Sequence, residues 1–212
     1  MTNKSTKLRQ GMKAAPFLIL AYLFFSTAAL SNSKSASDFI DRLGQRAIEQ
    51  IADKSQSRSD RERDFEQLFD SSFAVKGIAR TILGRRWKSL SDEEKSRYLA
   101  LFRDYTVKTY VSQFELFADQ KFEIKGELDR GKKGIVVRML VTDNGNPPVK
   151  VDWRVKQSKK TGKFYIVDIV IEGISMVITK RAEFASMMEQ ANGDFEKFLG
   201  SLQVLIEKNS KA

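Results

Sequence analysis

Two carboxylates have the residue type and spacing for acid–base chemistry. Asp168 and Glu172 lie on one face of an apolar strand, and such a pair could supply a general acid and a general base. The sequence has no histidine and no cysteine, which excludes Ser-His-Asp and Cys-His arrangements, thiol nucleophiles and the usual zinc sites. A salt bridge with Arg181 or Arg80 is the preferred interpretation of the pair. We expect a protein that is not an enzyme and needs no metal or cofactor.

A basic run around Trp87 is the second group of residues with possible chemistry. Arg80, Arg85, Arg86 and Lys88 could bind a phosphate group or an acidic protein, because their side chains donate charge-assisted hydrogen bonds. A solvated helix end explains the same run equally well. The residues alone leave both interpretations open.

The N-terminus has the three-part form of a secretory signal peptide, which we assign to residues 1–29. Basic residues precede an apolar run from Ala14 to Phe25, and small residues follow as far as Ala29. The run is shorter than the ~20 residues of a membrane span. We therefore expect export, with an uncleaved anchor as the alternative.

The net charge limits the kinds of partner to expect, and the chain length limits the number of domains. The signal peptide carries four basic and no acidic residues, so its removal lowers the net charge from +10 to +6. In an exported protein this charge favours anionic lipid head groups or acidic proteins over nucleic acid, although general solubility also explains it. The remaining chain has the size of one domain. We assign residues 30–36 to a linker, 37–208 to the domain and 209–212 to a C-terminal tail.

Helices dominate the first half of the chain. Apolar residues at helical spacing predict helices over residues 38–52, 61–73 and 75–83. A longer helix begins at Ser91, because Ser91 and Glu94 have the spacing of a capping box. This helix carries a broad aromatic surface and must be covered on more than one side.

Past residue 119 the apolar period changes to two, which indicates strands. The predicted strands span residues 121–128, 134–142, 149–157 and 163–172. Short turns between them indicate an antiparallel meander. In the third strand Val151, Trp153 and Val155 face one way and charged residues face the other, so one face of the sheet is dry. We expect an α+β fold with a helical layer packed on a four- to five-stranded antiparallel sheet.

The segment from Val167 to Phe184 predicts a strand, a turn and a helix. Its strand is apolar on both faces, which indicates a central position in the sheet. Gly173 permits a change of direction that a side chain would resist. From Ile174 onward the apolar residues recur at helical spacing.

This segment resembles the closing motif of the MlaC family, also called the toluene-tolerance auxiliary proteins. The block from Ile78 to Trp87 is similar to the helical half of that family, and Val151 to Val155 is similar to one of its strands. The three blocks occur in the family's order. Arg86 and Lys180 depart from the pattern, since an aromatic residue and a tyrosine are expected at these positions.

The resemblance implies a periplasmic phospholipid carrier that helps to maintain outer-membrane lipid asymmetry. The implied partners are phospholipid, the substrate-capture subunit of an inner-membrane ABC transporter and an outer-membrane lipoprotein complex. The implied fold encloses an apolar lipid cavity between the helices and the sheet. A carrier of hopanoid or sterol-like lipids is the closest alternative. An exported hydrolase that uses Asp168 and Glu172, and an adaptor with a solid core, are alternatives from other classes.

We therefore expect the lipid to lie between the aromatic helix and the dry strand face. The predicted cavity-lining residues are Ile82, Leu83, Trp87, Phe102, Tyr105, Tyr110, Val137, Met139, Val151, Trp153, Val167, Ile169, Ile174 and Val177. The predicted head-group or partner surface consists of Arg80, Arg85, Arg86, Lys88 and Arg181.

Overall fold

Six α-helices and a five-stranded antiparallel sheet make up the described part of the protein. The computed structural model describes residues 35–50, 55–114, 120–143 and 145–211, all within one compact unit that spans residues 32–212. The predicted signal peptide, residues 1–29, lies outside the described residues. The predicted α+β fold class is confirmed.

Along the chain, four of the α-helices precede the strands and two follow them. They are α1 (Ala36–Gln50), α2 (Arg58–Ser72), α3 (Val75–Leu83), α4 (Asp92–Phe114), α5 (Met176–Gln190) and α6 (Phe195–Lys211). The capping box of α4 is confirmed, because Ser91 N donates to Glu94 Oε2 at 2.7 Å and Glu94 N donates to Ser91 Oγ at 3.1 Å. Within the described ranges no helix combines the length and the apolar character that a bilayer span requires.

The sheet is a meander with the strands in sequence order. The strands are β1 (Lys121–Asp129), β2 (Ile135–Asp143), β3 (Asn146–Gln157), β4 (Phe164–Ile171) and β5 (Ile174–Ser175). The sequence did not predict β5, so the helix predicted from Ile174 begins two residues later, at Met176. The strand β4 is consequently second from the edge rather than central. Helices α2, α3 and α5 all contact it, and its residues Phe164, Ile166 and Val170 are buried.

A tight turn joins β4 to β5 at the predicted change of direction. Glu172 and Gly173 both have positive φ angles, 47° and 83°, as a two-residue hairpin turn requires. Lys150 fixes the turn from β3, since its backbone carbonyl accepts a hydrogen bond from Glu172 N at 3.0 Å and its backbone N–H donates to the Glu172 carboxylate. Gly173 thus turns the chain into a short strand before the helix starts.

One face of the sheet is apolar, as predicted, but helices fill only half of it. Val137 and Val155 lie in the filled half and are fully buried. Met139 and Trp153, on the same face, are only half-buried. The inward face of the sheet therefore divides into a packed half and a half that borders open space.

An irregularity in β4 keeps this face apolar along its whole length. Arg154 of β3 pairs with Asp168, whereas the next residue, Val155, pairs with Ile166. Val167 is left without a partner in the β3–β4 ladder, so the parity of β4 reverses there. As a result Ile166 packs in the filled half, and Ile169 borders the open half.

An aromatic cluster joins α4, α5 and α6 through Tyr98, Phe184 and Phe198. Tyr98 of α4 is fully buried, and its ring centroid lies 6.3 Å from that of Trp87 and 6.4 Å from that of Phe184. The Tyr98 hydroxyl donates to Ala79 O at 3.1 Å. Burial raises the pKa of Tyr98 far above its ordinary value, so the hydroxyl stays protonated and keeps donating.

The helix α1 approaches β1 at a glycine. A Cβ atom built on Gly44 would lie 2.6 Å from Cζ of Phe122, which is closer than carbon atoms approach without repulsion. The ring of Phe122 therefore fills the space that a side chain at position 44 would occupy.

Asp168 attaches the start of α5 to the sheet. Its carboxylate accepts hydrogen bonds from Arg154 Nη1 at 2.8 Å, from Ser175 Oγ at 2.7 Å and from Val177 N at 3.1 Å. Ser175 caps the helix, because its Oγ accepts from Ile178 N at 3.1 Å. A carboxylate at a helix N-terminus also interacts favourably with the helix dipole. One buried side chain therefore links β3, β5 and α5.

We predict that Gly44→Ala lowers the free energy of unfolding by about 1 kcal/mol. Overpacking against Phe122 destabilises the fold by about 1–3 kcal/mol. The higher helix propensity of alanine stabilises it by only roughly 1 kcal/mol. Gly200→Ala in α6 is the matched control, since nothing lies within 4 Å of its added Cβ, and it should gain about 0.5–1 kcal/mol. Urea unfolding followed by circular dichroism measures both. Equal gains would mean that Phe122 moves aside freely.

We predict that Asp168→Asn lowers the free energy of unfolding by about 2 kcal/mol, because an amide cannot accept from all three donors and carries no charge. Thermal and urea unfolding of the purified variant measure the loss. Glu189→Gln, at an exposed position of α5, is the control and should change stability by less than about 0.5 kcal/mol. Equal stability of the two variants would contradict the anchoring role of Asp168.

Candidate functional site

A cavity of about 360 Å³ lies between the helices and the open half of the sheet face. Helices α1, α2, α3, α4 and α5 and strands β1 to β4 all contribute to its wall. The wall consists almost entirely of carbon atoms. Lys121 and Ile171 are exposed members of the wall, so the cavity opens to solvent at the end of the sheet where β1 starts and β4 ends. We call this end the mouth.

Nine of the predicted lining residues border the cavity. They are Ile82, Phe102, Tyr105, Tyr110, Met139, Val151, Trp153, Ile169 and Val177. These side chains come from α3, α4, α5 and strands β2 to β4. The structure therefore brings the aromatic helix α4 and the apolar strand face together around one cavity.

Five predicted lining residues lie outside this wall. Leu83 and Trp87 are buried in the helical core, where Trp87 packs against Tyr98. Val137 is on the correct sheet face but in its filled half, fully buried. Val167 is the unpaired residue of β4 and is absent from the wall. Ile174 lies on the two-residue strand β5 and is 62% exposed.

The predicted basic surface does not border the cavity. Arg80, Arg85, Arg86, Lys88 and Arg181 are all exposed and lie outside the wall. The guanidinium of Arg86 donates to Gly193 O at 3.2 Å, and that of Arg181 lies against Gly84. These residues lie on the outside of the helical layer. A phosphate group bound inside the mouth would therefore contact cations other than these five.

The two carboxylates singled out in the sequence lie in different surroundings. Asp168 is buried and its oxygens bind three donors, whereas Glu172 is exposed and binds the backbone of Lys150. The expected salt bridge exists, but its partner is Arg154 rather than Arg181 or Arg80. The reason is that Arg154 faces Asp168 directly across the β3–β4 ladder. Among the described residues, acidic side chains do not gather in groups of three that could hold a metal ion.

Lys180 is a cation in the cavity wall that the sequence analysis did not select. Its Nζ donates to Tyr105 Oη at 2.9 Å and to Glu183 Oε2 at 2.7 Å, and it lies 5.3 Å from the centroid of the Tyr105 ring. Burial alone would lower the pKa of Lys180, but the hydrogen bonds to Glu183 and Tyr105 outweigh burial and raise it. The amine therefore remains an ammonium ion.

Two buried polar atoms at the wall have no hydrogen-bond partner within the described part of the chain. They are Nε1 of Trp153 and Oε1 of Gln120. An unpaired buried donor or acceptor costs about 1–3 kcal/mol. The Trp153 indole N–H is thus a donor, and the Gln120 amide oxygen an acceptor, that a bound molecule could satisfy.

The cavity wall also contains apolar residues that were not predicted as site residues from the sequence. Those from the helices and from the start of the sheet include Ile40, Leu43, Ala47, Phe65, Leu68, Phe69, Phe73, Phe122 and Val141. Their apolar spacing identifies the helices and strands that carry them. The spacing cannot tell whether an apolar stripe meets another element or an open cavity.

Comparisons with known proteins agree with this architecture. A structure of a phospholipid-binding protein from Ralstonia solanacearum, in complex with a phospholipid, superposes with a TM-score of 0.69 at 21% sequence identity, covering 83% of this chain and 99% of that one. The intermembrane phospholipid transport system binding protein MlaC of Haemophilus influenzae is 24% identical over 98 residues, which is 45% of this chain and 46% of that protein. The alignment thus spans less than half the length of that relative.

The family comparison covers most of the domain. The model of the family described as MlaC protein matches residues 40–204, a range that includes α2 to α5, the whole sheet, and most of α1 and α6. Both the Ile78–Trp87 block and the Val167–Phe184 segment fall inside it. The chain belongs to the MlaC family.

Proposed function

We propose that this protein is a periplasmic phospholipid-binding shuttle, which carries lipids between the inner and outer membranes. The observation that carries the proposal is the apolar cavity of about 360 Å³ that opens at one end of the sheet. A ligand that enters it meets carbon on nearly every side and water only at the mouth. An amphiphile with long apolar tails and a polar head matches that arrangement. Family membership and the phospholipid bound by the Ralstonia solanacearum protein support the same ligand.

The energetics of lipid transfer explain why a carrier needs such a cavity. Moving a two-tailed lipid from a bilayer into water exposes some 30 methylene groups, at a cost on the order of 25 kcal/mol. A carrier must bury most of this surface. The cavity volume falls within the range of about 300–1,000 Å³ that ligand sites occupy, and the polar head can remain in water.

Transfer between membranes requires partners rather than catalysis. A lipid that passes from one apolar environment to another breaks no covalent bond, so the buried Asp168 has no chemical role in the process. The proposed partners are the substrate-capture subunit of an inner-membrane ABC transporter and an outer-membrane lipoprotein complex. The direction of transport would follow from energy supplied by those partners. The predicted signal peptide would place the protein between them.

Organic extraction of the freshly purified protein, followed by mass spectrometry, tests the ligand class. We expect about one phospholipid per chain, and uptake of phospholipid from vesicles after delipidation. Recovery of a hopanoid or sterol-like lipid instead would move the function to the related carrier. Absence of any stoichiometric lipid, together with no uptake from vesicles, would contradict the proposal.

We predict that Met139→Glu reduces phospholipid occupancy at least tenfold, because it puts a carboxylate among the acyl tails, where an unpaired charge is strongly unfavourable. Leu140→Glu is the matched control. Leu140 is the next residue of β2 and lies on the opposite sheet face, between Glu123 and Lys150. Native mass spectrometry of both variants measures occupancy, and circular dichroism checks that they fold. Full occupancy in a folded Met139→Glu protein would place the lipid elsewhere.

A further inference from the structure

A fixed positive charge lies in the cavity wall, at the side chain of Lys180. This side chain is only 17% exposed, and it borders the cavity one turn of α5 beyond Met176 and Val177, which also border it. The neighbouring residues Ile178 and Arg181 are exposed. The ammonium group therefore lies at the boundary between apolar wall and outer surface.

The hydrogen bonds of Lys180 leave donor capacity toward a ligand. An ammonium group has three N–H donors. Among the described residues two acceptors bind Nζ, the hydroxyl of Tyr105 and the carboxylate of Glu183. The phenol holds the amine on the cavity side, and the carboxylate holds it from the outer side, where Glu183 is 45% exposed. One N–H remains for an acceptor on a bound molecule.

Other polar groups of the wall are less suited to an anion. Asp168 is itself an anion, and the hydroxyl of Thr106 donates to Phe102 O at 2.8 Å within its own helix. Lys121 is exposed, so water screens its charge. Lys180 combines a positive charge, low exposure and a free donor at one position of the wall.

We propose that the ammonium group of Lys180 binds the phosphate group of the carried lipid, with Tyr105 as the positioning residue that holds the amine toward the cavity. The inference rests on the proposed function and names the part of the lipid that the protein recognises. A phosphate in a diacyl lipid lies where the tails meet water, which is the kind of boundary at which Lys180 lies. A hydrogen bond between two charged groups in a partly dry site is stronger than one between neutral groups. The head group beyond the phosphate stays in solvent.

The test compares Lys180→Met with Arg181→Met, which removes the same charge from the next residue of α5 but outside the wall. Delipidated protein is titrated with vesicles that contain phosphatidylglycerol or phosphatidylethanolamine, and separately with vesicles doped with dioleoylglycerol, which has the same tails and no phosphate. Lys180→Met should weaken uptake of both phospholipids at least tenfold, equivalent to about 1.4 kcal/mol. Uptake of dioleoylglycerol should change less than twofold, and Arg181→Met should change neither.

Two further variants keep the test independent of folding. Lys180→Arg retains the charge and the donors, so it should restore phospholipid uptake to within a few-fold of the native protein. Glu183→Gln removes the competing carboxylate and should strengthen phospholipid uptake. Inorganic phosphate should compete with phospholipid in the native protein and not in Lys180→Met.

Several results would overturn the inference. Equal loss of phospholipid and dioleoylglycerol uptake in Lys180→Met would show that the lysine only supports the wall. Unchanged phospholipid uptake in that variant, with inorganic phosphate still bound by the native protein, would assign Lys180 to a free anion. Failure of the native protein to take up any of these lipids would refute the proposed function itself, a result distinct from selective loss in the variant.

Discussion

The position of α5 depends on one buried carboxylate. The carboxylate of Asp168 accepts hydrogen bonds from the guanidinium of Arg154 in β3, from the hydroxyl of Ser175 that caps α5, and from the backbone N–H of Val177. Without this carboxylate the buried Ser175 hydroxyl and the Val177 N–H would lose an acceptor, so β3, β5 and α5 come together at one point. The helix that leaves this point places Val177 and Lys180 in the cavity wall. A residue whose type suggests acid–base chemistry therefore serves as an anchor for the helix that forms one part of the cavity wall.

The cavity exists because the helical layer packs directly against only half of an apolar sheet face and leaves a space over the other half. Val137 and Val155 are fully buried in the covered half, and Met139 and Ile169 border the open half. A solid core would gain dispersion contacts and stability from filling that space. Leaving the open half unfilled lowers the stability of the fold but makes room for a ligand. Such an exchange of stability for function is common at binding sites.

Much of the fold was predictable because its signals are local. The change of period from helix to strand, the capping box at Ser91 and Glu94, and the glycine at the β4 turn each depend on residues that are close in sequence. The strand β5 escaped prediction because a two-residue strand has no period. The strand β4, predicted to be central, lies between β3 and the two-residue β5 and is second from the edge. Apolar faces report what packs above and below a strand, and they do not report how many strands lie on either side of it.

By itself the sequence determined the element types, the apolar face of the sheet, the absence of thiol and imidazole chemistry and the family resemblance. The tertiary structure decided which apolar residues meet a cavity and which meet each other. Trp87 and Trp153 look equivalent in the sequence, yet Trp87 packs against Tyr98 and Trp153 borders the cavity. Likewise, the partner of Asp168 is Arg154 and the cation in the wall is Lys180. Periodicity specifies which face of an element is buried, but the partner on that face is set by contacts between residues far apart in the chain.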